Sequence, residues 1–290
     1  MRRAPAAEKT IRAGDRELGP GPVIFGILNI TPDSFSDGGE FFDRDAAVAH
    51  ATGMLDEGAH VIDVGGESTR PGSDPVPGED EVRRVVPVIR DILAERPEAL
   101  ISIDTYRAST AEAALEAGVR IVNDVTALRG DPRMADLVAE AGCPVVLMHM
   151  LGEPKTMQRD PRYGDVVREV CDFLAARAEF AVAAGVDPAN LILDPGIGFG
   201  KTLEHNLTLL NSIETIVEIG LPVLVGASRK RFLGKITGAE TASKRVAATV
   251  ATTVLAYERG AALFRVHDVR ENADALAVAE AVRKAQSSRA

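Results

Sequence analysis

The sequence contains no tryptophan, and aromatic residues make up only 4% of its 290 positions. A core built from such a chain must be aliphatic, filled by Val, Ile, Leu and Ala rather than by large rings. Cysteine is scarce too. Cys143 and Cys171 cannot form the disulfide framework of a small secreted domain, and no secretory apolar segment opens the chain, so a reducing cytoplasm is the expected compartment. No apolar run reaches the roughly 20 residues that span a bilayer. Basic residues are outnumbered, 33 Lys and Arg against 43 Asp and Glu, giving a net charge of -10. That excludes a surface built for nucleic acid or anionic lipid, although it leaves room for a small basic pocket.

What is present is the composition of a globular protein, 46% hydrophobic and 26% charged. Residues 1–21 mix Arg2, Arg3, Glu8, Asp15 and Glu17 without periodicity and read as an amino-terminal extension, peripheral or partly disordered. From residue 22 to 290 one pattern recurs: a helix-period stretch stops at Gly, and a short aliphatic run follows. After Asp45 the residues Val48, Ala51, Thr52 and Leu55 share a face, the stop is Gly58, and Val61 to Val64 follow. Further stops at Gly118, Gly142, Gly185, Gly220 and Gly260 precede runs at Ile121, Val145, Leu191, Val223 and Ala262. With Val23 to Ile30 and Leu100 to Ile103 these give about eight strands, the number that closes a (β/α)8 TIM barrel of one domain. The runs are apolar throughout, as parallel strands covered on both faces require. Glu79 to Leu93 reads as a helix bent at Pro87. An open doubly wound sheet would carry a Gly-rich dinucleotide fingerprint after an early strand, and none is present.

In a barrel of this kind chemistry sits where strands run into βα loops. The last residues of the runs are Asn29; Asp63 before Gly65 and Gly66; Asp104; Asn123 and Asp124; His149; Asp194; Ser228, Arg229 and Lys230; and Arg265 with His267. Any one of these could simply cap the next helix, and Asp124 and Asp268 are read that way. Asn29, Asp104, Asn123 and Asp194 come from separate parts of the chain and meet only if the barrel forms. Together they suit a flat heterocycle bearing several N–H donors. The basic ends of the last two strands suit a phosphate or pyrophosphate. No HExxH motif and no cysteine pair indicates zinc; magnesium carried by a pyrophosphate, with Asn29 as one oxygen ligand, fits better. Two polar loops, Thr31 to Gly39 and Gly66 to Gly72, read equally as flexible connections or as lids over the site.

These residues fall in motifs that resemble the dihydropteroate synthase family: GILNITPDSFSDGG from Gly26, DVGGESTRPG from Asp63, SIDT from Ser102, ND at Asn123, LDPGIGFGK from Leu193, SRKRFLG from Ser228 and RVHDV from Arg265. The resemblance implies condensation of 6-hydroxymethyl-7,8-dihydropterin pyrophosphate with p-aminobenzoate to 7,8-dihydropteroate and pyrophosphate, with dissociative loss of the pyrophosphate. It implies pterin contacts from Asp104, Asn123, Asp194 and Lys230, with Met148 and Phe199 flanking the ring. It assigns pyrophosphate and Mg2+ to Asn29, Arg265 and His267, with Arg265 also stacking on the pterin. It assigns the p-aminobenzoate site to Asp33 and Phe35 of the first loop and to Thr69, Arg70 and Pro71 of the second, near Ser228 and Lys230. Asp33, Arg70, Asp104, Asp194, Lys230, Arg265 and His267 form the implied catalytic set. A homodimer is implied as well.

One detail departs from a generic member: Arg231 stands where many relatives have a small Ser. No residues are inserted between Phe199 and Lys201, so ordinary sulfonamide sensitivity is expected. The rival function is a pterin-binding module that presents methyltetrahydrofolate to a corrinoid partner. Such barrels share the Asp and Asn positions but are not expected to keep SRK, RVHDV and STRPG together.

Overall fold

The computed structural model describes residues 10–30, 39–68, 76–153 and 155–287. Two short antiparallel strands, β1 (Ile11–Ala13) and β2 (Arg16–Leu18), precede a repeating strand-helix succession. It runs β3 (Val23–Asn29), α1 (Gly39–Asp56), β4 (Val61–Gly65), α2 (Gly78–Glu95), β5 (Ile101–Asp104), α3 (Ala108–Glu116), β6 (Ile121–Asp124), α4 (Met134–Ala141) and β7 (Val145–Met148). It continues with α5 (Val166–Ala183), β8 (Leu191–Asp194), α6 (Leu203–Asn211), α7 (Ile213–Val217), β9 (Leu224–Val225), α8 (Arg231–Thr237), α9 (Val246–Glu258), β10 (Leu263–Val266) and α10 (Val269–Ser287).

The helices begin and end where the sequence signals them. Asp165 caps α5 by accepting from the N–H groups of Val167 and Arg168, and Thr202 with His205 forms a reciprocal capping box on α6. Glu79, Asp80 and Glu81 crowd the first turn of α2, where the helix dipole favours acid. At Gly142 the chain turns left-handed (φ 60) directly after α4, a backbone state that costs glycine little.

Strands β3 to β10 are parallel, in the order β8-β7-β6-β5-β4-β3-β10-β9. A further parallel bridge, Leu193 to Val223, joins the two ends, so the sheet is a nearly closed barrel. The expected eight-stranded TIM barrel is thus what the chain forms.

The period of two along a strand then decides where the site lies. One buried cluster contains Phe25, Val61, Ile121, Val146, Ile192, Leu224 and Leu263. Two residues further along the same strands, and therefore on the same inner face, stand Ile27, Asp63, Asn123, Met148, Asp194, Gly226 and Arg265. The interior is apolar at the amino ends of the strands and polar at the carboxyl ends. The ladder places Asn29 opposite Gly65, Gly65 opposite Asp104 and Asp104 opposite Asn123, and Met148 opposite Asp194. A larger aliphatic cluster fills the space between strands and helices.

The expectation of a peripheral or frayed extension needs correction for residues 10–20. Ile11, Ala13 and Leu18 are buried in the same cluster as the amino ends of the strands, so the β1–β2 hairpin covers the floor of the barrel. Its polar residues Arg12, Arg16 and Glu17 alternate outward, which is why no helical period was visible. Residues 1–9 lie outside the described residues.

Candidate active site

Five side chains toward the carboxyl ends of the strands are tied into one network. Asp63, fully buried, accepts hydrogen bonds from Ser102 Oγ, from Asn123 Nδ2 at 3.2 Å and from Arg265 Nε. Arg265 also donates through Nη2 to Asp104 Oδ2 at 2.7 Å. With Nδ2 donating to Asp63, the remaining polar atom of the Asn123 side chain is its carbonyl oxygen, an acceptor. Asp104 Oδ1 is buried and has no hydrogen-bond partner, an arrangement that is costly unless a donor arrives with a ligand. Burial pushes the Asp104 carboxyl up to about 7 against the opposing charge of Arg265, with Asp63 and Glu81 adding like charge. Burial also works against the charge on Arg265, but Asp63 and Asp104 outweigh it and hold the guanidinium protonated.

Asp194, at the end of β8, has Oδ1 bound by Gly196 N at 2.7 Å. Its Oδ2 and the Cβ of Arg265 both lie just under 4 Å from where a side chain on Gly226 would begin; the missing side chain keeps that part of the mouth open. Burial raises the Asp194 carboxyl, opposed by the Gly196 N–H and by Lys230, Lys201 and Arg265. Lys230 donates to Ile197 O and lies with Nζ 4.0 Å from the centre of the Phe199 ring, a cation–π contact. Burial lowers Lys230 to about 7, with Asp194 pulling the other way. Ser228 Oγ lies 2.9 Å from His267 Nδ1 and accepts from His267 N, so the ends of β9 and β10 are linked. Asn29 Oδ1 and Asp104 Oδ2 flank Gly65, whose absent side chain leaves them adjacent.

Above this polar floor sits an apolar lip of Val125, Met148, Met150 and Met157, with Tyr106 and Phe199 packed against it. The result is a pocket with acceptors below, cations on one wall and thioether and ring faces at the rim. It can hold a flat, donor-rich ring beside an anion.

A family model described as pterin binding enzyme matches residues 25–267. Dihydropteroate synthase of Mycobacterium leprae is 51% identical over 267 residues, covering 90% of this chain and 93% of that protein. The chain belongs to the dihydropteroate synthase family. Among solved structures, the dihydropteroate synthase of Xanthomonas albilineans with 4-aminobenzoic acid superposes with a TM-score of 0.90 at 46% identity, covering 95% of this chain and 98% of that one. The same organism's enzyme in complex with 7,8-dihydropteroate gives 0.85 at 44% identity, over 94% and 98%.

Of the residues matched to dihydropteroate synthase motifs, the structure gathers Asn29, Asp104, Asn123, Met148, Asp194, Phe199, Ser228, Lys230, Arg265 and His267 at one mouth. Asp33, Phe35, Thr69, Arg70 and Pro71 lie outside the described residues. Arg229 points elsewhere: it takes a left-handed backbone (φ 55) and pairs with Asp268, so Asp268 does not serve as the simple cap expected of it. Asp124 does not cap α4 as expected of it; it accepts from Thr126 and Leu128 in the turn directly after β6. Arg231 begins α8 as an exposed residue.

Sequence reasoning named Asp63 only as one of the strand-end residues, without its part in organising Arg265 and Asn123, and gave no role to Lys201. The signal for Asp63 was available: it follows Val61 by two, in the inward register. A further buried network, Glu67, Glu81, Tyr106, Arg107 and Thr110, ties the start of the second loop to the loop after β5. Glu67 also accepts from Val76 N, so one carboxylate holds both described ends of that loop.

Proposed function

We propose that this site joins 6-hydroxymethyl-7,8-dihydropterin pyrophosphate to p-aminobenzoate, releasing 7,8-dihydropteroate and pyrophosphate, as a transferase of folate biosynthesis. The observation that carries the reading is the set of acceptors, Asp104 Oδ1 without a donor, Asn123 Oδ1 and Asp194 Oδ2, beside Lys230 and Arg265. A pterin supplies N–H donors on one edge. An unmet buried acceptor costs about 1–3 kcal/mol, so a ring lacking those donors is rejected.

The reacting carbon is the exocyclic methylene. Its bond to the bridging oxygen breaks with the electron pair leaving on pyrophosphate. Carboxylates around the ring favour the electron-poor fragment left behind. The amine of p-aminobenzoate then forms the C–N bond and gives up a proton to solvent or to the departing pyrophosphate, so no strong base is needed. Arg265, with His267 and Ser228 beside it, binds the leaving anion. For that task Arg265 exchanges part of its contact with Asp104 for pyrophosphate oxygens, and keeps its stacking position over the ring.

Magnesium fits this site as an ion brought by the substrate. Asn29 offers one oxygen at the mouth next to Asp104, and Mg2+ needs only one or two protein oxygens besides phosphate and water. When bound it neutralises charge developing on the leaving pyrophosphate. Asp33, Phe35, Thr69, Arg70 and Pro71 complete the p-aminobenzoate subsite in this reading. The compartment is the cytoplasm, and among the described residues no helix is long and apolar enough to cross a membrane. The assembly is a homodimer, supported by the exposed apolar side chains of α9 and α10.

Purified protein mixed with the pterin pyrophosphate, Mg2+ and p-aminobenzoate should yield dihydropteroate. Methyl transfer from methyltetrahydrofolate to a corrinoid protein, with no dihydropteroate, would instead support the module reading. With p-aminobenzoate withheld, an 18O label at the bridging oxygen should scramble into the nonbridging oxygens of the inner phosphate of recovered substrate. Retention of the label at the bridge would show that cleavage waits for the amine.

A further inference from the structure

Lys201 ends the GIGFGK segment and is the only lysine classed as buried among the described residues, 3% exposed. Its ammonium stands 2.9 Å from His149 Nδ1, 3.0 Å from Phe199 O and 3.5 Å from His149 O. Three acceptors match the three N–H bonds of an ammonium, which leaves the His149 proton on Nε2. His149 is kept neutral: burial, the charge of Lys201 and that of Arg129 lower it to about 3. Burial lowers Lys201 to about 7, with the charge of Asp194 from β8 pulling the other way and that of Lys230 from the start of α8 adding to the fall; burial raises Asp194, opposed by the Gly196 N–H and by the charges of Lys230, Lys201 and Arg265.

The segment that Lys201 closes is fastened at nearly every polar atom. Gly198 N donates to Asn206 Oδ1, Gly198 O accepts from Gln158, Ile197 O from Lys230 and Gly200 O from Tyr163. Phe199 O is the position taken by Lys201. An apolar side chain of equal length would fill the same space without the desolvation that a buried ammonium suffers. The charge sits against His149, whose backbone N–H donates to Asp194 O at 2.9 Å, and Asp194 is the acidic group that favours it.

We propose that Lys201 is a positioning residue of the pterin site: it fixes Phe199 through its carbonyl and sets a positive charge beside the His149–Asp194 pair that favours the carboxylate form of Asp194. Its effect on substrate rests on the dihydropteroate synthase reading; its effect on Asp194 does not.

The test is a titration of Asp194 by NMR in protein labelled at aspartate 13Cγ, with Asp194→Asn used to assign the signal. It compares wild type with Lys201→Gln, which keeps N–H donation but loses charge, and Lys201→Met, which loses both. Both substitutions should raise the Asp194 midpoint by about one unit and lower kcat/KM for the pterin pyrophosphate about tenfold near pH 6. KM for p-aminobenzoate should stay within about twofold, because a pterin-site defect leaves the second substrate's contacts in place. A folded K201Q whose Asp194 titrates as in wild type overturns the proposal. If neither variant folds, the wild-type signal decides: Asp194 must still be a carboxylate at pH 6, and a protonated Asp194 there overturns it. A wild-type protein without synthase activity, in which the Asp194 midpoint still moves as expected, removes the substrate reading and leaves the electrostatic role standing.

Discussion

Asp63, in the middle of β4, and Asp124, at the end of β6, are both fully buried and look alike in the sequence. Asp124 spends its oxygens on the local turn, on Thr126 and Leu128. Asp63 spends them across the barrel, on Ser102, Asn123 and Arg265. Only the direction of the side chain separates the two, and that direction follows from register. Asp63→Asn keeps the shape but places a donor where a charged acceptor held Arg265; removing one partner of a buried pair costs about 3–5 kcal/mol. Thermal unfolding should register that loss, with kcat/KM for the pterin pyrophosphate down at least about tenfold. A variant as stable and active as wild type would mean that Asp104 alone holds Arg265. The raised Asp104 carboxyl gives a pH prediction of defined sign. Its free-enzyme value of about 7 means that as pH falls through 7 the acceptor takes a proton, so kcat/KM for the pterin substrate should decline on that side. The alkaline side should show no such loss from Asp104. A profile in which Asp104→Asn retains the same acid limb would assign the limb to another group.

At the scale of elements, the strands and helix stops were legible because apolar runs and glycines mark them directly. Less legible was the conversion of the loop after β8 into a rigid shelf, since glycine spacing does not say which backbone atoms meet. Gly196 illustrates the point. Its φ is +64, and a Cβ there would strike the carbonyl oxygen of His149. Gly196→Ala should therefore lose about 1–3 kcal/mol from backbone strain alone, with the clash adding to it, and should weaken pterin binding because Gly196 N holds Asp194 Oδ1. Gly53 is the internal comparison: it lies within α1, and a Cβ would meet nothing within 4 Å. Gly53→Ala should stabilise by about 0.5–1 kcal/mol through helix propensity. Denaturant unfolding of both variants checks the pair; equal effects would mean that the loop yields more readily than its contacts indicate. The same scale explains Arg229, which fell in the basic run read as anion-binding. Thr249 accepts from its N–H, Arg245 donates to its carbonyl, and Asp268 takes its guanidinium, so the middle residue of SRK aims its neighbours rather than the substrate.

For the whole molecule, the amino-terminal hairpin and the α9–α10 face show what composition could not reveal. Polar residues outnumber apolar ones over residues 12–17, and a three-residue strand carries too short a period to be read, so Ile11 and Leu18 were invisible as core. Both are buried beneath the barrel. Ile11→Ala should cost about 2–5 kcal/mol as a large-to-small core change, measured by unfolding, with kcat unchanged because the floor lies at the opposite end from the site. On the outer surface, Leu255, Val278 and Val282 are 51%, 66% and 53% exposed. Val278 and Val282 line a cavity of about 450 Å³ with Val254, Glu258, Ala275 and Ala279. In a chain of net charge -10, such a face is a solubility liability unless it is covered, and a two-fold copy of the same face would cover it with matching apolar side chains. Sedimentation of the wild-type protein should give a dimer. Val278→Asp with Val282→Asp should give a monomer that still folds, because both side chains point to solvent within one chain. A wild-type monomer at micromolar concentration, or a double variant that remains dimeric, would move the interface off α9 and α10.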